Sequence, residues 1–474
     1  MKKSNAEMFE NSNVCKARQG RRGFIKSALA FSAMPYLRTF AEQGKPLLRM
    51  GVLSDIHVRA PGWSQKPFEA ALRWFDAQKV DGVIVAGDMA DFGLVEQLRL
   101  VGAAWDAVFP NNRAADGRKV EKVFVTGNHD HHFHNHRGAK KMIPDDAKRF
   151  AHSLAHDFNA AWTGCFHEEY RPFYRKEIKG FAFLARQYGE KGLSKFVAAQ
   201  KATLDPAKPF FYVQHQHLKD TCYGAWAWGR DNGESTRVFS AFPNAVAFSG
   251  HSHYTLTDER SVWQGAFTSV GTASLSYISP PDGYENGHGN KPRVEEMPPL
   301  GMHQAKQGML MDVFADRIVL ARKLLTPERV DSLGPDWTIR APAANPPQFA
   351  FGARAAKDVP PEFPAGAKVD VEIHDGANRN GDKHRQVRVT FPAAVAGGRA
   401  FDYEVRAEAD GCESVVRRVL SKSFHMPKSD DGGKDFCEFA AADLPAKCRF
   451  NVSARTSFGT AGKTLVSPAV AVHA

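Results

Sequence analysis

LLRMGVLSDIH, residues 47–57, is an apolar run that stops at Asp55 and His57. The run is short, rich in branched side chains and bounded by charge and Gly, which reads as a strand buried on both faces. Four further stretches repeat the design: VDGVIVAGD (80–88), KVFVTGNHD (122–130), FFYVQHQH (210–217) and AVAFSGHSH (245–253). In an open α/β sheet, ligands bind at the C-terminal ends of the strands, so polar residues far apart in sequence converge there. Asp55, His57, Asp88, Asn128, His129, His215, His251 and His253 are expected to meet in one crevice.

Asp55 and His57 are two residues apart, as are His251 and His253. In extended chain that spacing turns both side chains to one face, so each pair can grip a metal from a single strand end. Asp88 adds a carboxylate whose two oxygens can bridge two ions, Asn128 a neutral amide oxygen, and His215 another imidazole. Mixed oxygen and nitrogen donors suit Mn, Fe or Zn, whereas a calcium site would use oxygens alone. The recurrence points to a two-metal hydrolase.

In this order, DxH, GD, GNHD, a His after an apolar strand and GHxH resemble the calcineurin-like metallophosphoesterase superfamily across residues 47–275. The resemblance implies an α/β fold, a two-layer β-sandwich core flanked by helices, holding two divalent transition-metal ions about 3.5 Å apart. It implies that Asp55, His57, Asp88 and His253 hold one ion, and Asp88, Asn128, His215 and His251 the other. The implied reaction is hydrolysis of phosphodiesters or small phosphomonoesters by a metal-bridging hydroxide. His129 would contact the phosphate and protonate the leaving oxygen, with Asp130 orienting its ring. Gly87, Gly127 and Gly250 would permit the turns that aim the ligands inward. His217 competes with His215 for its place on spacing alone.

Two departures narrow the substrate. Asp91 stands where purple acid phosphatases carry Tyr, which argues against a tyrosinate–iron centre. Phe92 stands where the superfamily's protein phosphatases carry a phosphate-gripping Arg, which argues against a phosphoprotein substrate. Arg59 and Arg230 are candidate phosphate contacts or ordinary ion pairs. Trp226 and Trp228 read as core packing or as a platform for a substrate ring. His131, His132, His134 and His136 read as loop histidines rather than a third ion site.

With 474 residues, 43% of them hydrophobic, the chain is long enough for more than one domain. The net charge of +11 is concentrated early: residues 1–44 hold eight Lys/Arg against three Glu, leaving about +6 for the rest. That excess is modest and no dense basic run follows, so a nucleic-acid partner is not expected. Residues 1–44 resemble a twin-arginine export signal, with Arg21-Arg22-Gly23-Phe24-Ile25-Lys26 before an apolar run too short to span a bilayer. A periplasmic or secreted location without stable membrane insertion is the corresponding expectation.

Residues 45–339 read as the catalytic domain. Within it, residues 131–174 form a helical excursion over the site, and 277–299 an irregular loop at the substrate mouth. Residues 340–361 read as a linker, and 362–474, with alternating short strands, as an all-β sandwich of fibronectin or immunoglobulin type. Removing the leader leaves five cysteines without a CxxC pair; a bridge among Cys412, Cys437 and Cys448 competes with free buried thiols. The rival to a phosphoesterase is a non-catalytic envelope protein with a structural metal site and a glycan- or partner-binding sandwich. A weaker rival is a metal-dependent amidase; no protein partner is legible in the sequence.

Overall fold

The computed structural model describes residues 44–223, 228–287, 300–344, 347–377, 382–427 and 433–473. The export signal read over residues 1–44 and Trp226 therefore lie outside the described residues, apart from Gly44. Lys45–Ala474 is one compact unit.

The strands of its first part are β1 (Leu48–Leu53), β2 (Gly82–Ala86), β3 (Glu121–Val125), β4 (Phe173–Ile178), β5 (Phe181–Arg186), β6 (Phe210–Val213) and β7 (Ala245–Ser249). They continue with β8 (Val262–Gln264), β9 (Thr268–Gly271), β10 (Gln307–Val313), β11 (Ile318–Leu325), β12 (Val330–Ser332) and β13 (Trp337–Ile339). One sheet runs β12-β11-β10-β1-β2-β3, with β13 also on β11, and a second runs β4-β5-β6-β7-β9-β8. Strands β1, β2 and β3 are mutually parallel, as are β5, β6, β7 and β9.

Alternation sorts each strand between two cores. Met50 and Val52 of β1 and Ile84 of β2 face Phe183, Phe211 and Phe248 of the other sheet. Their neighbours Val83 and Val85 turn outward to the helices Gln65–Ala77 and Val95–Asp106. On the far side, Leu184, Tyr212 and Ala247 pack beneath Leu193–Gln200 and Glu234–Phe239. The result is the expected sandwich of two sheets between helices. The excursion after β3 is helical, with Arg137–Met142, Asp146–Ala151 and Phe158–Phe166. Phe92 anchors it, its ring stacked on His136 at 5.6 Å and packed against Ala139.

The C-terminal part is all β. Asp370–Ala377, Lys383–Pro392 and Lys434–Ala440 form one sheet; Val415–Leu420, Asp402–Glu408, Lys447–Arg455 and Leu465–Val466 form another. Val389, Phe439, Tyr403 and Val452 fill the space between them. Phe401, Leu420 and Phe424, however, belong to the inter-sheet core of the first part. The stretch read as a linker is also packed in place: Arg354 pairs with Glu259, and Phe349 is buried. A disulfide among the C-terminal cysteines is not formed; Cys437 and Cys448 are buried free thiols and Cys412 an exposed one.

His425 sits where the two parts meet, its carbonyl accepting a 2.7 Å bond from Gln307 Nε2. Its ring is 3% exposed, and Nδ1 has no hydrogen-bond partner among the described residues. Burial therefore holds the imidazole down at about 4. The unfolded ring binds its proton near 6.5, so stability is complete above that pH and is lost as pH falls from 6.5 toward 4. The full loss is about 3 kcal/mol. Urea titrations at pH 7.5 and 4.5 should show it, and His425→Leu should flatten that difference.

Candidate metal centre

Every expected ligand follows a strand at the same edge of the sandwich: Asp55 and His57 after β1, Asp88 after β2, Asn128 after β3, His215 after β6, His251 and His253 after β7. Five of them adopt the left-handed backbone region that non-glycine residues avoid: Asp55 (φ 51°), His57 (49°), Asp88 (51°), His251 (72°) and His253 (55°). Each such residue costs of order 1–3 kcal/mol, and strain concentrated in this way marks a functional site.

The side chains converge as two groups that share Asp88: Asp55, His57, Asp88 and His253, and Asp88, His215 and His251. In the first, His253 Nε2 lies 3.0 Å from Asp55 Oδ1 and 3.2 Å from His57 Nε2. In the second, His215 Nε2 lies 3.2 Å from Asp88 Oδ2, 3.0 Å from Asn128 Oδ1 and 3.0 Å from His251 Nδ1. The outer nitrogens fix the tautomers. His253 Nδ1 donates to the Tyr277 carbonyl at 3.0 Å, and His215 Nδ1 to that of Ala86 at 2.9 Å. His57 Nδ1 meets Asp91 Oδ1 at 3.2 Å. With those nitrogens carrying hydrogen, the inner Nε2 atoms aim lone pairs at one another and at carboxylate oxygens. Lone pairs crowded at about 3 Å repel unless a cation or proton lies among them, so the donor set fits a pair of metal ions.

Sharing only protons, these groups shift one another's titration strongly. Burial alone would raise Asp55, but the His253 imidazole outweighs it and holds the carboxyl at about 2. Asp88 is held well below the usual carboxylate range: burial opposes this, and His215 overcomes it. His215 rises to about 9 against its burial because of Asp88, while burial and His215 push neighbouring His251 down to about 3.

Glycine supplies room here. A Cβ on Gly127 would lie 2.0 Å from Asp88 Oδ1, one on Gly250 2.3 Å from Asp55 Oδ2, and one on Gly87 2.3 Å from His215 Nδ1. Only Gly87 of the three also has the positive φ (96°) expected of a tight turn.

Several expectations are corrected. Asp130 does not orient His129. Its buried carboxylate accepts the backbone N–H groups of Gly127 (2.8 Å), Ala90 (2.8 Å) and Met89 (3.3 Å), which ties the loop after β3 to the loop after β2. Its burial, with Asp88 nearby, raises it to about 7. The His129 ring is held by the Asp91 carbonyl, which accepts from Nδ1 at 2.7 Å, and by Phe133, stacked on it at 3.5 Å. Burial keeps this imidazole at about 4. His217 stands apart from both groups, its nitrogens bound to the hydroxyls of Ser249 (2.9 Å) and Ser252 (2.5 Å).

Arg59 turns to Asp91, Nε to Oδ2 at 2.7 Å, and lies over the rings of Trp63 and Phe92. Arg230 is exposed. Of the histidines following the GNHD motif, His131 bonds Thr126 Oγ1 at 2.9 Å and stacks on Phe158, and His136 caps the helix Arg137–Met142. Asp91, read from the sequence only as a residue in place of Tyr, makes contacts that sequence reasoning missed, to His57, Arg59 and His129. The signal was the GDxxD spacing, which puts a second carboxylate one short turn beyond Asp88.

The groups open into a cavity of about 400 Å³. His129 and Asn128 form its floor, and Phe133, Trp228, Tyr254 and Tyr277 its aromatic walls. Trp228 is 59% exposed and stacks on His251 at 4.8 Å. The mouth loop runs from Tyr277, through Pro280 and Asp282 on the cavity wall, to Asn286. There the Asn286 amide closes two bonds on the backbone of Leu420 at 2.8 and 3.0 Å, so the C-terminal part holds the loop at Asn286; residues 288–299 of the expected loop lie outside the described residues.

The calcineurin-like phosphoesterase family model matches residues 48–255. No curated protein matches the chain significantly. Among solved structures, a dimetal phosphatase from Danio rerio is similar with a TM-score of 0.36 and 13% identity, over 63% of this chain and 100% of that one. A purple acid phosphatase from yellow lupin (Lupinus luteus) seeds is similar with a TM-score of 0.39 and 14% identity, over 62% of this chain and 53% of that one. Residues 48–255 are similar to the calcineurin-like phosphoesterase family, and with the donors they bring together the chain is a metal-dependent phosphoester hydrolase.

Proposed function

We propose that the chain is an exported phosphoesterase that uses two divalent transition-metal ions, Mn, Fe or Zn, to hydrolyse phosphodiesters or small phosphomonoesters. The observation that carries this reading is Asp88, shared by both groups of converging donors. Asp55, His57, Asp88 and His253 would hold one ion, and Asp88, Asn128, His215 and His251 the other. Such a pair of ions supplies Lewis acidity toward phosphoryl oxygen and toward the attacking water. Export rests on the twin-arginine stretch at Arg21-Arg22. No described helix is long and apolar enough to cross a membrane.

The protein's own side chains do the rest. The aromatic walls bind the organic part of the ester and exclude bulk water from the floor. Asp91 holds the His57 ring in the tautomer that keeps Nε2 facing Asp55 and Asp88, and Arg59 in turn neutralises Asp91. His129, its Nδ1–H fixed on the Asp91 carbonyl, keeps Nε2 for the substrate; this nitrogen must first take up a second proton, which an anionic phosphoester beside it favours, and can then contact a phosphoryl oxygen and pass that proton to the leaving oxygen.

The test of function is turnover of bis(p-nitrophenyl) phosphate and p-nitrophenyl phosphate by protein loaded with Mn, Zn or Fe. Inertness toward both esters with every metal would count against the reading. His129 has its own signature. Proton delivery matters for an alkoxide leaving group and little for nitrophenolate, so His129→Gln should cost about 10²–10⁴-fold on a methyl ester and far less on the nitrophenyl ester. Equal losses on the two esters would reduce His129 to a phosphate contact.

A further inference from the structure

A second cavity, of about 350 Å³, is lined in part by Lys122 and Phe124 of β3 and shares no lining residue with the catalytic cavity. Phe124, Trp162, Phe166 and Tyr174 give it flat aromatic walls. At its inner end is Gln187, 1% exposed. Its Oε1 accepts the Thr126 N–H at 2.7 Å, but its Nε2 has no hydrogen-bond partner among the described residues. A buried amide donor without an acceptor is unfavourable, and native interiors seldom keep one unless something completes it. Charge at the rim is unbalanced: Lys122, Arg171, Arg175 and Lys176 face only two carboxylates, Glu168 and Glu169. Lys176 is 2.8 Å from Glu168, Arg171 is 2.8 Å from Glu169, and Arg175 reaches outside the cavity to Glu177. Lys122, almost fully buried, donates to Asn112 Oδ1 and lies over the Trp105 ring, and its one carboxylate neighbour within 4 Å among the described residues is the already engaged Glu168, at 3.6 Å.

We propose that this cavity is a second ligand site for a planar aromatic carboxylate of one or two rings, its oxygen accepting from Gln187 Nε2 and its charge balancing the rim cations. Aromatic walls with a few converging polar groups and a volume of this size are what a small planar acid requires. The site is distinct from the metal centre but joined to it, since Thr126, held by Gln187, is two residues before the expected ligand Asn128.

The experiment is calorimetric titration of the full-length, metal-loaded protein with 2-naphthoate, in saturating inorganic phosphate so that the metal centre cannot take the probe. One saturable site is expected, at least tenfold weaker for neutral 2-naphthamide. Gln187→Glu keeps the acceptor to Thr126 but replaces the inward donor, and should weaken binding tenfold or more. Arg171→Ala, at a side chain 63% exposed and therefore harmless to folding, should weaken it about threefold. If circular dichroism shows Gln187→Glu unfolded, Arg171→Ala and the naphthamide comparison decide. Absence of saturable binding, equal affinity for acid and amide, or unchanged affinity in the folded variants would overturn the site.

Discussion

Asp88→Asn is expected to abolish two-metal occupancy and to lower phosphodiester hydrolysis by at least about 10³-fold, with the fold intact. Asp88 is the one side chain common to both donor groups, so the substitution removes a negative charge from two sites at once. An asparagine can keep Oδ1 as acceptor for the His129 N–H, a 2.9 Å bond in this structure. Its amide nitrogen would face the His215 and His57 Nε2 atoms, now 3.2 and 3.7 Å from Oδ2, and donate to a lone pair there. The variant should therefore melt cooperatively while plasma mass spectrometry finds fewer than two metal equivalents. Two equivalents with undiminished turnover would show that the donors meet for another reason.

Much of this centre was legible because the strands supporting it are buried on both faces. Residues 83–86 and 245–248 face one core with alternate side chains and the second core with the rest, so they must be apolar throughout, and the first polar residue marks the strand end. The ligand positions follow from that discontinuity. What each neighbour does is not legible, because it depends on contacts between loops. Asp130 adjoins His129 in sequence, yet the helix that begins at Asn128 carries its carboxylate back onto the β2 loop, and the ring is left to the Asp91 carbonyl. His215 and His217 are two apart and alike in composition. Only the Ser249 and Ser252 hydroxyls, brought in by β7, engage the second and leave the first to Asp88. The strained φ values of the ligands carry no mark in the residue types, which are those a metal needs and not those the backbone prefers.

The C-terminal strands were legible as alternating segments, except Lys434–Ala440, whose Lys-Asp-Phe-Cys-Glu-Phe-Ala pattern is masked by the charges at its start. Their relation to the rest was not. An alternating strand announces one buried face, and nothing in the pattern says which domain supplies the cover. For Leu420, Phe424 and Phe401 the cover is the core beneath β8–β11, which also holds Val262, Met309 and Leu324.

That shared core makes deletion of the sandwich the second large effect expected. Residues 45–361 expressed alone should lack a cooperative thermal transition and should bind hydrophobic dye. Phe401, Leu420 and Phe424 are all nearly fully buried. Burial of side chains this size contributes roughly 2 kcal/mol apiece, so losing the three costs about 6 kcal/mol. That is comparable with the whole stability of an ordinary domain, about 5–15 kcal/mol. Polar partners go with them: Gln307 loses the His425 carbonyl, Asn286 loses both bonds to Leu420, and the Leu333 carbonyl loses Arg399 at 3.0 Å. Gln307 is fully buried, so its amide would be left facing the exposed core. The damage also reaches the catalytic mouth, because the loop tethered at Asn286 begins at Tyr277, whose carbonyl fixes the His253 tautomer. A fragment that melted sharply, within a few degrees of the full chain, and turned over nitrophenyl esters would show instead that the sandwich is an independent module.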